Sequence, residues 1–249
     1  MCIHSTYQKG KSLYDTLNQY LTFPENKSEI GEFVSSVTDP FEDGTSTDDV
    51  AVDLSGWPEV DFAELSEINP EIVGWIYIEG IDINYPITQG SDNNYYLNRL
   101  FDGTYNASGC IFLDYRSSSD FSDCHSIIYG HHMNDKSMFG DLMQYKKQTF
   151  YDEHSVARLL TPDAYYKVQF FSGYVSDNWS NAWNLDFDEP EFISWLNDIQ
   201  SKSCFETFSS PSEKDRIITL STCTYEYNSA KFLLHGFITE TIKIIPLDG

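Results

Sequence analysis

Between residues 73 and 239 the chain is written in eight short runs rich in Ile, Val, Tyr, Phe and Thr, at 73–78, 82–87, 109–114, 126–129, 156–160, 165–175, 216–222 and 231–239. Runs of this length, broken by Gly, Asn, Asp and Ser, read as strands. So many short strands with few helices would leave exposed edges unless the sheet closes, so the sequence predicts a mainly β fold, an eight-stranded barrel. An aromatic content of 16% suits such a packed, strand-rich chain. Helical patterns interrupt the strands at 138–151 and at 189–203. In the second, Phe192, Trp195, Leu196 and Ile199 form an i, i+3, i+4, i+7 stripe behind Pro190, which predicts core packing for a helix inserted between late strands.

The region before the barrel differs in texture. Leu13, Leu17, Tyr20 and Leu21 share one helical face and Pro24 closes the pattern, which predicts an N-terminal helix. Asp61 and Glu64 form a capping box for a short helix ending near Pro70. Residues 39–53 are polar, acidic and aperiodic, as in a linker. The predicted division is a helical stalk with an acidic linker over 1–53 and the barrel domain over 54–249.

Charge narrows the function. Asp and Glu number 39 against 15 Lys and Arg, a net charge of −24. Residues 28–98 hold 16 of those acids and no Lys or Arg, which reads as a solvated acidic surface. Such a chain is repelled by nucleic-acid phosphates and anionic bilayers, which excludes nucleic-acid binding as its main work. No apolar run reaches the ~18–20 residues that a membrane helix needs, and no secretory core follows Met1. The five cysteines, Cys2, Cys110, Cys124, Cys204 and Cys223, are an odd number, so intramolecular disulfides leave at least one thiol free. Cys110 and Cys124 can pair only if their Cα atoms come within ~7 Å.

Cys223 ends the run Ile217-Ile-Thr-Leu-Ser-Thr-Cys223. Strand alternation puts Ile218, Leu220 and Thr222 on one face, suited to a barrel interior. Thr219, Ser221 and Cys223 share the other, where a substrate could reach the thiol. The plainer reading of such a cysteine is a small buried hydrophobe. His131 and His132 follow Gly130 just past the run 126–129, where one imidazole of the pair can project into a groove as acid or base. The plainer reading there is a structural hydrogen bond. His4, His125, His154 and His235 have no comparable setting.

Several separate motifs together resemble one family. They are Asn69-Pro-Glu-Ile-Val-Gly-Trp-Ile76 with Tyr85-Pro-Ile87; Tyr95-Tyr-Leu-Asn98 followed by Gly109-Cys-Ile-Phe-Leu-Asp-Tyr115; Ile127-Ile-Tyr-Gly-His-His-Met133 with Ser137-Met-Phe-Gly-Asp-Leu142; and Thr219-Leu-Ser-Thr-Cys223. The last is similar to the TLxTC nucleophile motif of the class B sortases, cysteine transpeptidases of Gram-positive cell surfaces. The resemblance spans about residues 69–239 and implies a sortase-type barrel in which Cys223 is the nucleophile and His131 the acid/base. It implies attack on the carbonyl of a Thr in a sorting motif, then resolution of the acyl-enzyme by a peptidoglycan or pilin amine. No cofactor or metal enters this chemistry. By the same analogy Asn98, Tyr129 and Ser221 would line the groove, and the backbone N–H following the nucleophile, at Thr224, would serve the oxyanion.

The chain departs from the family at one point. Where the family carries an arginine on the strand after the nucleophile, this sequence has Lys231, one cation without the flat two-pronged donor array of a guanidinium. Arg216 is a poor substitute, about 23 Å along the same strand at ~3.3 Å per residue. The leading expectation is therefore a surface transpeptidase whose membrane tether, an N-terminal segment in the family, is absent from this chain. The alternatives are a hydrolytic thiol peptidase of the same fold and a catalytically impaired peptide-binding or pilus-assembly module.

Overall fold

The computed structural model describes residues 2–23, 34–35, 56–177, 180–224 and 229–244; the acidic stretch 39–53 lies outside them. Eight strands close into a mixed barrel: β1 (Ile72–Tyr77), β2 (Asn84–Thr88), β3 (Ile111–Leu113), β4 (His125–Tyr129), β5 (Val156–Leu160), β6 (Ala164–Ser176), β7 (Ile217–Cys223) and β8 (Lys231–Lys243). Each of the eight predicted runs falls on one of them. Around the ring the order is β1, β5, β6, β8, β7, β4, β3, β2 and back to β1. The β4/β7 and β2/β3 pairs are parallel, and the remaining neighbours are antiparallel. The helices are α1 (Cys2–Leu17), α2 (Phe62–Ile68), α3 (Gln148–Glu153) and α4 (Glu189–Ser201).

Strands β6, β7 and β8 are buried on both faces. Ile218, Leu220, Phe232 and Leu234 belong to the main core, while Ile217, Leu233, Phe171 and Tyr174 face outward against Phe192, Trp195, Leu196 and Ile199 of α4. Double burial explains why β8 reads as the unbroken apolar run Phe232-Leu-Leu234 rather than an alternation. Helix α4 starts where the sequence says it should: Asp188 and Glu191 form a capping box and Pro190 occupies the first turn.

Two expectations change. The predicted helix over 138–151 is a 3-10 segment, Gly140–Lys146, followed by α3, with Lys147 extended between them at φ −107° and ψ 126°. A continuous helix would point residues five apart in different directions. The break lets Tyr145 and Phe150 meet edge to face at 5.0 Å in the core. At the N-terminus the helical segment is present, but it is not a stalk that stands off from the barrel. Tyr14 and Leu17 are buried against it, and the Tyr14 hydroxyl donates to the Gly109 carbonyl at 2.8 Å. The apolar face read from periodicity is spent on that docking, and the chain turns at Asn18–Tyr20 to pair Leu21–Thr22 with Glu59–Val60.

Candidate active site

Strand β7 is central to the site because it touches both elements that bring chemistry to Cys223. On the face it shares with Cys223, Thr219 and Ser221 are fully covered, so the small polar face predicted to be open is closed along most of its length. Cys223 is half-buried at the strand's C-terminal end, where the covering layer stops.

On one side β8 places Lys231 as the direct antiparallel partner of Cys223. Side chains paired in this way lie on the same face, and the Lys231 Nζ is 2.9 Å from the Cys223 Sγ. The hairpin between the strands is closed by the Thr224 N–H, which donates to the Ala230 carbonyl at 3.0 Å. This amide, expected to face an oxyanion, is thus engaged in the turn, and Thr224 is buried. The residue that follows Cys223 is held by the hairpin's own need for a backbone partner.

On the other side the parallel partner β4 sets Tyr129 opposite Ser221, and the Gly130 N–H donates to the Ser221 carbonyl at 3.1 Å. His131 follows Gly130 directly, so the segment that carries it leaves β4 on the side of β7 opposite to Lys231. His131 Nε2 lies 2.7 Å from the Leu97 carbonyl. A carbonyl only accepts, so Nε2 carries the hydrogen and Nδ1 is the nitrogen left to exchange a proton. His132 turns elsewhere: its Nδ1 donates to the backbone carbonyl of Cys223 at 3.1 Å. Two glycines make room. A Cβ on Gly130 would lie 2.5 Å from Ile111 and 2.6 Å from Phe139. One on Gly109, at φ +62°, would lie 2.7 and 2.8 Å from the Tyr96 and Leu97 carbonyls and 3.0 Å from the His131 ring.

The residues expected to line the groove are placed unevenly. Asn98 is exposed at the end of the 3-10 turn Tyr95–Asn98, and this turn's recorded contact with His131 is through the preceding Leu97 carbonyl. Ser221 is 2% exposed and touches the site through its backbone. The Tyr129 hydroxyl donates to Asp114 Oδ2 at 2.9 Å, and its ring stacks on Trp183 at 6.3 Å. Asp114 is also paired with Arg116 at 2.9 Å. Burial opposes the ionised carboxylate, but the hydrogen bonds from Arg116 and Tyr129 outweigh it and hold Asp114 below its ordinary range. Burial and then the Asp114 charge push the Tyr129 phenol up. This brace was not anticipated, although an acid and an arginine two residues apart after a strand were a visible signal.

A second unforeseen arrangement lies beneath α4. His125 Nδ1 faces the Asn184 carbonyl at 2.7 Å, His125 Nε2 faces Thr219 Oγ1 at 2.7 Å, and Thr219 Oγ1 faces His235 Nδ1 at 2.7 Å. Counting protons from the carbonyl, His125 Nδ1 donates, Thr219 donates to His125 Nε2, and His235 Nδ1 donates to Thr219. All three residues are 0% exposed. Burial pushes His125 down to about 4 and His235 well below its ordinary value. Arg216 is tied to the Phe121 carbonyl and Thr241 at the far end of β7. Cys110, Cys124, Cys204 and Cys223 are not joined to one another by disulfides, and among the described residues no cluster suits a metal ion.

Comparison with known proteins shows the family and the fold. The family model described as "Sortase domain" matches residues 76–236. Sortase B of Staphylococcus aureus is 36% identical over 168 residues, covering 67% of this chain and 69% of that protein. Sortase B of Listeria monocytogenes is 33% identical over 194 residues, covering 76% and 78%. Among solved structures, a Staphylococcus aureus sortase B–substrate complex superposes with a TM-score of 0.76 at 30% identity, over 94% of this chain and 98% of that one. Sortase B from Bacillus anthracis in complex with AAEK1 gives 0.74 at 29% identity, over 96% and 100%.

Proposed function

This chain belongs to the sortase family, within its class B, and from that premise we propose that it cleaves a Thr-containing sorting signal through an acyl-enzyme on Cys223 and passes the acyl group to an amine. The family's members are cell-wall transpeptidases acting at the Gram-positive surface. A sorting-signal peptide is the partner this reading requires, and the acceptor is a peptidoglycan or pilin amine. The observation that carries it is one half-buried thiol with the Lys231 Nζ 2.9 Å from its sulfur, at the end of a strand whose parallel partner leads into His131.

The roles follow from those contacts. The thiolate is the nucleophilic form of Cys223, and the Lys231 Nζ donates to its sulfur. The thiolate attacks the Thr carbonyl. His131, through Nδ1, protonates the leaving amine and then takes a proton from the incoming one. Negative charge developing on the carbonyl oxygen falls beside Lys231, which offers three donors around one point rather than a planar pair. Tyr129, braced by Asp114 and stacked on Trp183, holds the end of β4 that leads into His131.

The test is product analysis of sorting-motif peptides with and without triglycine. A triglycine-tagged product that disappears in Cys223→Ala supports transfer; cleavage that ignores triglycine identifies a hydrolase. Binding without either product identifies a peptide-binding module.

A further inference from the structure

We propose that Lys231 is itself an acyl acceptor: an acyl group loaded on Cys223 is passed to the Lys231 amine, so that the chain covalently captures its own substrate. For sorting peptides this rests on the acyl-enzyme reading above. The chemistry of the pair does not depend on which acyl donor loads the thiol.

The contact is built into the sheet. Cys223 and Lys231 are direct cross-strand partners, and their side chains meet with Nζ and Sγ 2.9 Å apart. Among the described residues no carboxylate pairs with Lys231, whose recorded partner is the sulfur. An arginine at this position would be inert, because a guanidinium stays protonated. A lysine is different in kind: it is a primary amine, the functional group that resolves a thioester. Its neutral form carries the lone pair that the transfer needs, and the cross-strand pairing already holds it against the sulfur.

The step balances without any further reagent. The neutral Lys231 amine attacks the thioester carbonyl carbon, the C–N bond forms, and the C–S bond breaks with its electron pair going to sulfur. The proton lost from nitrogen ends on Cys223, carried by water or by His131. The products are an amide on Lys231 and a free Cys223 thiol. An amine held at contact distance competes with dissolved amines at an effective concentration that reaches ~10⁵ M in well-oriented cases. External acceptor therefore has to arrive before the transfer occurs, and without it the site is consumed after one turnover.

The experiment loads the full chain with a small acetyl thioester, which acylates an accessible thiol by exchange whatever the sorting motif. Intact mass, neutral hydroxylamine treatment, iodoacetamide labelling and peptide mapping then follow the acetyl group. In the wild type the acetyl becomes hydroxylamine-resistant, maps to Lys231 and leaves Cys223 free to alkylate, faster as pH rises. In Lys231→Arg it stays hydroxylamine-labile on Cys223. Acetylation of Lys231 should fall about tenfold or more in Cys223→Ala, because the thiol supplies the proximity. The proposal is overturned by a thioester that persists in the wild type as in Lys231→Arg, by a Cys223 that takes no acetyl, or by Lys231 acetylation indifferent to Cys223. A parallel arm with sorting-motif peptides separates the two readings. If acetyl moves to Lys231 while no peptide loads Cys223, the self-acylation stands and the peptide reading fails.

Discussion

The His131 imidazole and the Leu97 carbonyl, 34 residues apart in sequence, are joined by a 2.7 Å hydrogen bond that decides which histidine nitrogen can exchange a proton. The neutral ring should therefore be the Nε2–H tautomer. Nitrogen NMR of selectively labelled protein at neutral pH checks this, and a predominant Nδ1–H form would remove Nδ1 from the role given to it. Replacing His131 by Ala should lower turnover by roughly 10²–10⁴, the usual loss of a general acid–base.

Gly109 protects that arrangement. In Gly109→Ala a methyl at positive φ would press on the Tyr96 and Leu97 carbonyls and on the His131 ring. The variant should lose about 1–3 kcal/mol of stability from backbone strain and should lose turnover as well. Denaturant melts alongside peptide-cleavage rates measure both. Unchanged turnover in a destabilised variant would show that the Leu97 carbonyl does not position the histidine.

Lys231 should matter to acylation more than to folding. Lys231→Met removes a charged hydrogen bond worth roughly 1.5–3 kcal/mol, or about 10–160-fold in kcat/KM. Lys231→Arg should retain activity or raise it, since a guanidinium supplies the paired donors that a lysine lacks. Stopped-flow acylation rates for the three proteins give the ranking.

The His125–Thr219–His235 chain makes stability depend on pH. The His125 pKa falls from 6.5 to about 4 on folding, so between those values the unfolded chain binds a proton that the folded one refuses. Stability is full above pH 6.5 and is lost as pH falls through that window, by on the order of 3 kcal/mol from His125 alone. His235 shifts the same way, because of burial and then the nearby His125 and Lys202 charges. Asp114 slightly favours a charged His125 and Arg116 opposes it. Urea unfolding at pH 7 and pH 5 should show the drop, and His235→Phe, which removes one of the two bases, should flatten it.

Much of the fold was legible because it is local. Short β-branched and aromatic runs between turn residues located all eight barrel strands, and the Phe192–Ile199 stripe located α4 together with the layer it buries. Cys223 and Lys231 were each singled out from motif and position, and antiparallel pairing of β7 with β8 makes them neighbours. What was not legible depends on register between distant strands. His125, Thr219 and His235 lie on β4, β7 and β8, and no spacing rule links them until the sheet sets them side by side. Thr224 was misjudged for the opposite reason: its chain position was right, but the hairpin's own hydrogen bond takes the amide. The continuous helix over 138–151 gives way at the extended Lys147, and the break lets Phe150 pack edge to face on the buried Tyr145.

Intact-mass spectrometry of the protein incubated with sorting-motif peptides, without added amine, tests the central claim most directly. A mass gain equal to the acyl portion of one peptide, absent in Cys223→Ala and greatly reduced in His131→Ala, is the predicted result. No adduct with any peptide, from a protein whose Cys223 still reacts with iodoacetamide, would contradict it.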